Sequence, residues 1–147
     1  NDAMINKKVL KALSSGLKVI LAVGEHKRTA ARAVVDVILE HQLKAALKNL
    51  PSEHLVRLTV AYEPVWAIGT GLHASADDAL QAALLVRQVA SRQFGRSAAN
   101  KLKVLYGGSV DKGNIAAFVN QRGIDGVLVG GASLNVKGFG ELLKKIR

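Results

Sequence analysis

The feature that most constrains this chain is a repeated alternation of short apolar runs with longer stretches of helical spacing. The runs are Leu17–Val23, Leu55–Tyr62, Leu102–Tyr106 and Gly126–Val129. They are rich in Val, Ile and Leu, are bounded by turn residues, and lack a strict apolar–polar alternation. That is the pattern of strands covered on both faces of a parallel sheet. After them come helical patterns over Thr29–Leu50, Ser75–Phe94, Asn114–Arg122 and Val136–Ile146. In the second of these, Ala79, Ala82, Ala83, Val86 and Ala90 share one face. Ser75 and Asp78 read as a capping pair with Ser75 at the N-cap. A further helix is predicted ahead of the first strand, over Ala3–Ser15 and ended by Gly16.

The predicted fold class is α/β: a leading helix plus four parallel βα units, forming one domain fragment over residues 1–147. A parallel βα array ordinarily starts with a strand, because the helix returns over a strand already laid down. This one starts with a helix, and a full eight-unit barrel takes about 250 residues. The expectation is therefore the second half of a (βα)₈ barrel. Composition agrees with a folded domain, since 49% of residues are apolar and 22% charged. With no cysteine, disulfides, thiolate chemistry and zinc-finger sites are excluded. No apolar run approaches the roughly 20 residues of a membrane span, and Asn1-Asp2-Ala3-Met4 shows no apolar signal core.

The formal net charge of +10 leaves two readings open, a solvated basic surface or a surface for an anionic partner. A non-catalytic module binding RNA or another polyanion is the alternative to an enzyme. Lys44, Lys48, Lys101, Lys103, Lys144, Lys145 and Arg147 could supply its charge, but they are dispersed along separate predicted elements. Aromatic residues, at 4%, are too few for a stacking platform, which disfavours nucleic acid.

Three loops follow the C-terminal ends of predicted strands, where parallel α/β folds build their sites. In the first, Ala61-Tyr62-Glu63-Pro64-Val65-Trp66-Ala67-Ile68-Gly69-Thr70-Gly71, Glu63 stands where the apolar run ends and Pro64 stops ladder pairing. A carboxylate at the mouth of an apolar site suits general-base work; the plainer reading is a strand-end Glu facing solvent. Stiff ends around the small tip Ala67-Ile68-Gly69 suit a lid that closes over substrate. Gly69-Thr70-Gly71-Leu72-His73-Ala74 also fits a dinucleotide fingerprint, but it begins too far beyond the strand for that motif's tight first turn. The other loops are Tyr106-Gly107-Gly108-Ser109 and Gly130-Gly131-Ala132-Ser133. Each glycine pair alone could be a simple turn; two after neighbouring strands fit a phosphate site made of backbone N–H groups.

Here the segments Ala61–Gly71, Tyr106–Val110 and Gly126–Leu134, with Val23-Gly24-Glu25, resemble the signature segments of the triosephosphate isomerase family. The similarity runs from Asn1 to Arg147 and covers that family's C-terminal half, the second half of a TIM barrel. The resemblance implies interconversion of dihydroxyacetone phosphate and glyceraldehyde 3-phosphate through an enediolate, in glycolysis and gluconeogenesis, in the cytoplasm. It implies that Glu63 is the catalytic base, and that Pro64, Val65, Trp66, Ala67, Ile68, Gly69, Thr70 and Gly71 belong to a closing lid running to Leu72. Gly69, Ser109, Gly130 and Gly131 match phosphate-binding positions, Tyr106 and Ser109 match residues that hold the lid shut, and Glu25 matches a support for Trp66. No cofactor and no metal are implied; a homodimer is implied for the full-length family.

The family's substrate-orienting Asn and Lys and its electrophilic His belong to earlier strands. His26, His41, His54 and His73 match none of these roles, so the 147-residue half alone is expected to be inactive without an N-terminal half, in the same or a separate chain. Two departures are local. Ala22 stands where the family usually has Cys, and His26-Lys27-Arg28-Thr29-Ala30-Ala31-Arg32 replaces a usually acidic stretch.

Overall fold

A computed structural model describes residues 1–146; Arg147, one of the dispersed cations, lies outside the described residues. The order of elements is α1 (Asp2–Ser14), β1 (Val19–Val23), α2 (Arg32–Ala46), β2 (Leu58–Tyr62), α3 (Ala76–Phe94), α4 (Arg96–Ala99), β3 (Lys103–Gly107), α5 (Ile115–Val119), β4 (Gly126–Leu128) and α6 (Val136–Leu143). The strands form one parallel sheet in the order β1-β2-β3-β4. This is an α/β fold with the arrangement of half a TIM barrel, as the alternating pattern predicts. No helix of the described residues is long and apolar enough to cross a membrane.

The register explains which residues reach the core. Leu21 pairs with Val60, Val60 with Val104, and Val23 with Tyr62. These residues point to the helix-covered face, where all are buried. Against them pack Val35, Leu39 and Leu43 of α2 and the predicted face of α3, with Ala79, Ala82, Ala83, Val86 and Ala90 all buried. The opposite face of β1 is open: Ile20 is 56% exposed and Ala22 is exposed too. The sheet thus has one face buried under helices along its centre and one face open at its β1 side, with β4 only partly buried.

Local signals hold at several ends. Ser75 Oγ accepts from the Asp78 N–H at 3.0 Å and donates to Asp78 Oδ2 at 2.7 Å, closing the capping pair. Gly16, at φ +84°, turns the chain out of α1, and the Leu17 N–H reaches the Ala12 carbonyl at 3.0 Å.

Other boundaries move. Leu55 is buried, yet it belongs to a 3₁₀ segment, Ser52–Arg57, introduced by Pro51; β2 begins only at Leu58. Leu17 and Leu102 also precede their strands: Leu102 packs in the core without joining the ladder, whereas Leu17 is exposed. The expected helix start at Thr29 is replaced by a loop, with α2 beginning at Arg32. The predicted Asn114–Arg122 helix contracts to Ile115–Val119, and Val136–Ile146 divides into α6 and a 3₁₀ turn, Lys144–Ile146. Gly138 and Gly140 inside α6 lower its helical propensity. The short α4 has no counterpart in the predicted pattern; it follows Gly95, whose φ of +83° ends α3.

Candidate functional site

Parallel pairing brings the C-terminal ends of the strands to one edge of the sheet, and their loops meet there. Glu63 follows β2 directly. Its N–H donates to the Val23 carbonyl at 2.8 Å, so the ladder with β1 continues one residue beyond the strand. Gly24 faces it across this extension: a Cβ there would lie 2.0 Å from the Glu63 carbonyl oxygen. Only glycine allows that approach. Gln42 of α2 fixes the Gly24 backbone from behind, accepting from its N–H at 2.9 Å and donating to its carbonyl at 3.1 Å.

The Glu63 side chain is half-buried and runs over Gly107 at the end of β3. A Cβ on Gly107 would stand 2.7 Å from Glu63 Oε1 and 2.8 Å from Cγ. The Glu63 carboxylate takes part in no ion pair among the described residues. It faces a cleft of about 440 Å³ that is also lined by Gly69, Ser109, Gly130 and Gly131. One cleft thus holds the predicted base and all the predicted phosphate-binding positions. Around Gly69, Gly130 and Gly131, no atom stands within 4 Å of where a Cβ would be, so space is open beside their backbone.

The segment after Glu63 makes one 3₁₀ turn, Val65–Ala67, and then an exposed tip, Ile68-Gly69-Thr70. Thr70 Oγ1 stiffens the tip, donating to the Trp66 carbonyl at 3.0 Å and accepting from the Leu72 N–H at 3.2 Å. Two contacts join the segment to β3 and its loop. Ser109 Oγ accepts from the Gly71 N–H at 3.0 Å and donates to the Ala67 carbonyl at 2.7 Å. Tyr106 Oη accepts from the Ala74 N–H at 2.9 Å. Ser109 has a positive φ of 30°, unusual for a residue with a Cβ, and Asn114 Nδ2 holds its carbonyl at 3.0 Å. Tyr106 is buried, stacked on Phe118 at 4.1 Å, and this burial raises its phenol above the usual range.

Glu25 and Trp66 lie apart from that cleft. Glu25, only 3% exposed, accepts from Trp66 Nε1 at 2.7 Å and from Tyr62 Oη at 3.1 Å. Burial, and then the neighbouring carboxylate, push the Tyr62 phenol far above its ordinary value, which keeps it a donor. None of the four histidines lines the cleft with Glu63. His73, just beyond that segment, packs edge-on against Phe118 at 6.0 Å.

Gln42 and Asn114 are positioning residues that sequence reasoning missed; Gly24 was noted only within a resembling segment, and Gly107, read as half of a phosphate-loop pair, lies instead beneath the Glu63 side chain. Gln42 and Asn114 carry no local sign, because each acts on a loop from a different element.

The triosephosphate isomerase family model matches residues 1–146. The chain is similar to the triosephosphate isomerases of Dictyoglomus thermophilum, Carboxydothermus hydrogenoformans and Citrifermentans bemidjiense, with 40%, 41% and 43% identity over 143 residues. Each alignment takes in 97% of this chain and 57% of the relative, so the chain spans a little over half the length of these curated relatives. On that match and on the parallel βα array, the chain belongs to the triosephosphate isomerase family.

Proposed function

We propose that this chain supplies the base, the lid and the phosphate cradle of an enzyme that interconverts dihydroxyacetone phosphate and glyceraldehyde 3-phosphate. The observation that carries the reading is the single cleft shared by Glu63, Gly69, Ser109, Gly130 and Gly131. The substrate's phosphate lies against the N–H groups of Gly69, Gly130 and Gly131 and against Ser109, where open backbone lets an anion approach. Glu63 then takes a proton from the hydroxyl-bearing carbon beside the carbonyl, giving an enediolate, and returns it to the former carbonyl carbon, while the hydroxyl proton passes from one substrate oxygen to the other. A positioned general base of this kind contributes about 10²–10⁴-fold.

The lid has its own task. An enediolate next to a phosphate ester loses phosphate if the group rotates out of plane or meets water. Pro64–Leu72, pinned by Ser109 and followed by Ala74, whose N–H Tyr106 holds, keeps the phosphate in place and excludes water from the intermediate. One substrate carbon is oxidised as its neighbour is reduced, so there is no net redox change and no external oxidant or reductant is consumed.

Charge building on the substrate oxygens calls for an electrophile, and the cleft as described offers no histidine or lysine. The remaining strands of a full barrel, flanking β1 and β4, supply that group in this reading. The 147 residues by themselves hold an incomplete site. The dispersed lysines leave the polyanion alternative without a focus: Lys44 lies on α2, Lys103 on β3 and Lys144 in the last 3₁₀ turn.

The test is steady-state isomerisation by the full-length enzyme carrying this segment. Glu63→Gln should lower kcat by about 10²–10⁴-fold with KM little changed. A loss below tenfold would remove Glu63 from the role of base.

A further inference from the structure

A second cavity, of about 360 Å³, surrounds Trp66 and is lined by Glu25, Tyr62, Arg28, Arg32 and Asp78 among others. The indole edge is fixed by Glu25, as described above. Its face meets a different group: the Arg28 guanidinium carbon lies 5.1 Å from the ring centroid. Arg28 stands in the exposed loop between β1 and α2.

That loop is tethered. Ala31 N–H donates to Thr29 Oγ1 at 3.1 Å. Arg32 pairs with Asp36 at 2.6 Å and donates to the Asp78 carbonyl at 3.2 Å, tying the loop's end to the first turn of α3. Arg28 is thereby carried on an anchored loop, with its charge over the one tryptophan of the chain.

We infer that Arg28 is a positioning residue for the Pro64–Leu72 segment, its guanidinium clamping the indole face while Glu25 holds the indole N–H. The inference rests on the lid reading given above. A cation over the ring face is attracted by the ring quadrupole, whereas a carboxylate in the same place would be repelled. The same cation draws electron density from the indole and strengthens its N–H as a donor to Glu25, a cooperative arrangement. Glu25 is buried and enters no ion pair among the described residues, so it gains from a nearby positive charge. Fixing Trp66 fixes the root of the tip, and with it the position in which the Gly71 N–H meets Ser109. Arginine suits this place better than lysine, because its planar group stacks on an aromatic face.

The experiment uses the full-length enzyme carrying this segment, labelled with 5-fluorotryptophan, with the Trp66 ¹⁹F resonance assigned by its loss in Trp66→Phe. Amide hydrogen exchange at Gly71 is followed in parallel, with and without inorganic phosphate. Arg28→Met should speed Gly71 exchange about two- to fivefold, the size that an exposed cation–π contact supports, and should shift the Trp66 resonance. Arg28→Lys, which keeps the charge, should fall between Met and the native residue. Unchanged exchange and an unmoved resonance in Arg28→Met would overturn the inference. If Arg28→Met has its effect while phosphate leaves Gly71 exchange unaltered in the native enzyme, the clamp stands and the lid reading fails instead.

Discussion

Glu63 and Gly107 show how little room the proposed chemistry leaves at the scale of single residues. The carboxylate rests over a backbone position where a methyl group would come within 2.7 Å of Oε1. The clash is with the movable end of a side chain, so the fold absorbs it by turning Glu63 aside. Gly107→Ala should therefore cost modestly in stability, about 1–3 kcal/mol at most. It should cost far more in turnover, about 10²-fold, the penalty for displacing a catalytic group by roughly an ångström. Thermal denaturation beside steady-state kinetics separates the two effects. Glu63 itself was legible in the sequence because an apolar run, a carboxylate and a proline in succession mark a strand end. Arg28 was visible only as part of a basic stretch. Its role depends on Trp66, which comes from another loop, and nothing in the chain's order announces that meeting.

Among elements, the segment after β2 depends on the loop after β3. Ser109 Oγ bridges the Ala67 carbonyl and the Gly71 N–H, one hydroxyl joining both sides of the exposed tip. Ser109→Ala removes both bonds at about 0.5–1.5 kcal/mol each. Amide exchange at Gly71 should rise about tenfold, and affinity for phosphate should fall. Equal protection at Gly71 in the variant and the native chain would show that the segment is held by something else. At this scale the strands were read correctly in number and order, since Val, Ile and Leu runs between turn residues have few other solutions. Their ends were not. Leu55 packs in the core from a 3₁₀ turn after Pro51, and burial alone cannot tell such a residue from one in a ladder. The α2 start was placed too early, at Thr29 and not Arg32: Ala30 and Ala31 favour a helix, but Ala31 offers no side-chain cap and its N–H is taken by Thr29 Oγ1.

For the whole molecule, the asymmetry of the sheet matters most. The helix-covered face is buried along its centre, whereas Ile20 and Ala22 leave the other face of β1 open, and β1 and β4 end the sheet as unpaired edges. Open edges and exposed apolar faces favour further pairing, consistent with a barrel in which other strands flank this half. The cleft is divided in the same way, with the proposed base and phosphate-binding positions present and no histidine or lysine among its lining. The isolated 147-residue chain, purified free of contaminating isomerase, should show no turnover that depends on Glu63; robust turnover abolished by Glu63→Gln would contradict this. The central claim, that Glu63 moves the proton over a phosphate held by the two glycine loops, has a more direct test in the full-length enzyme. Dihydroxyacetone phosphate is incubated with enzyme in D₂O, and deuterium at the carbon beside the carbonyl is followed by NMR. The native enzyme should incorporate deuterium at that carbon, and Glu63→Gln should slow incorporation by about 10²–10⁴-fold. Incorporation at the native rate in Glu63→Gln would mean that another group carries the proton.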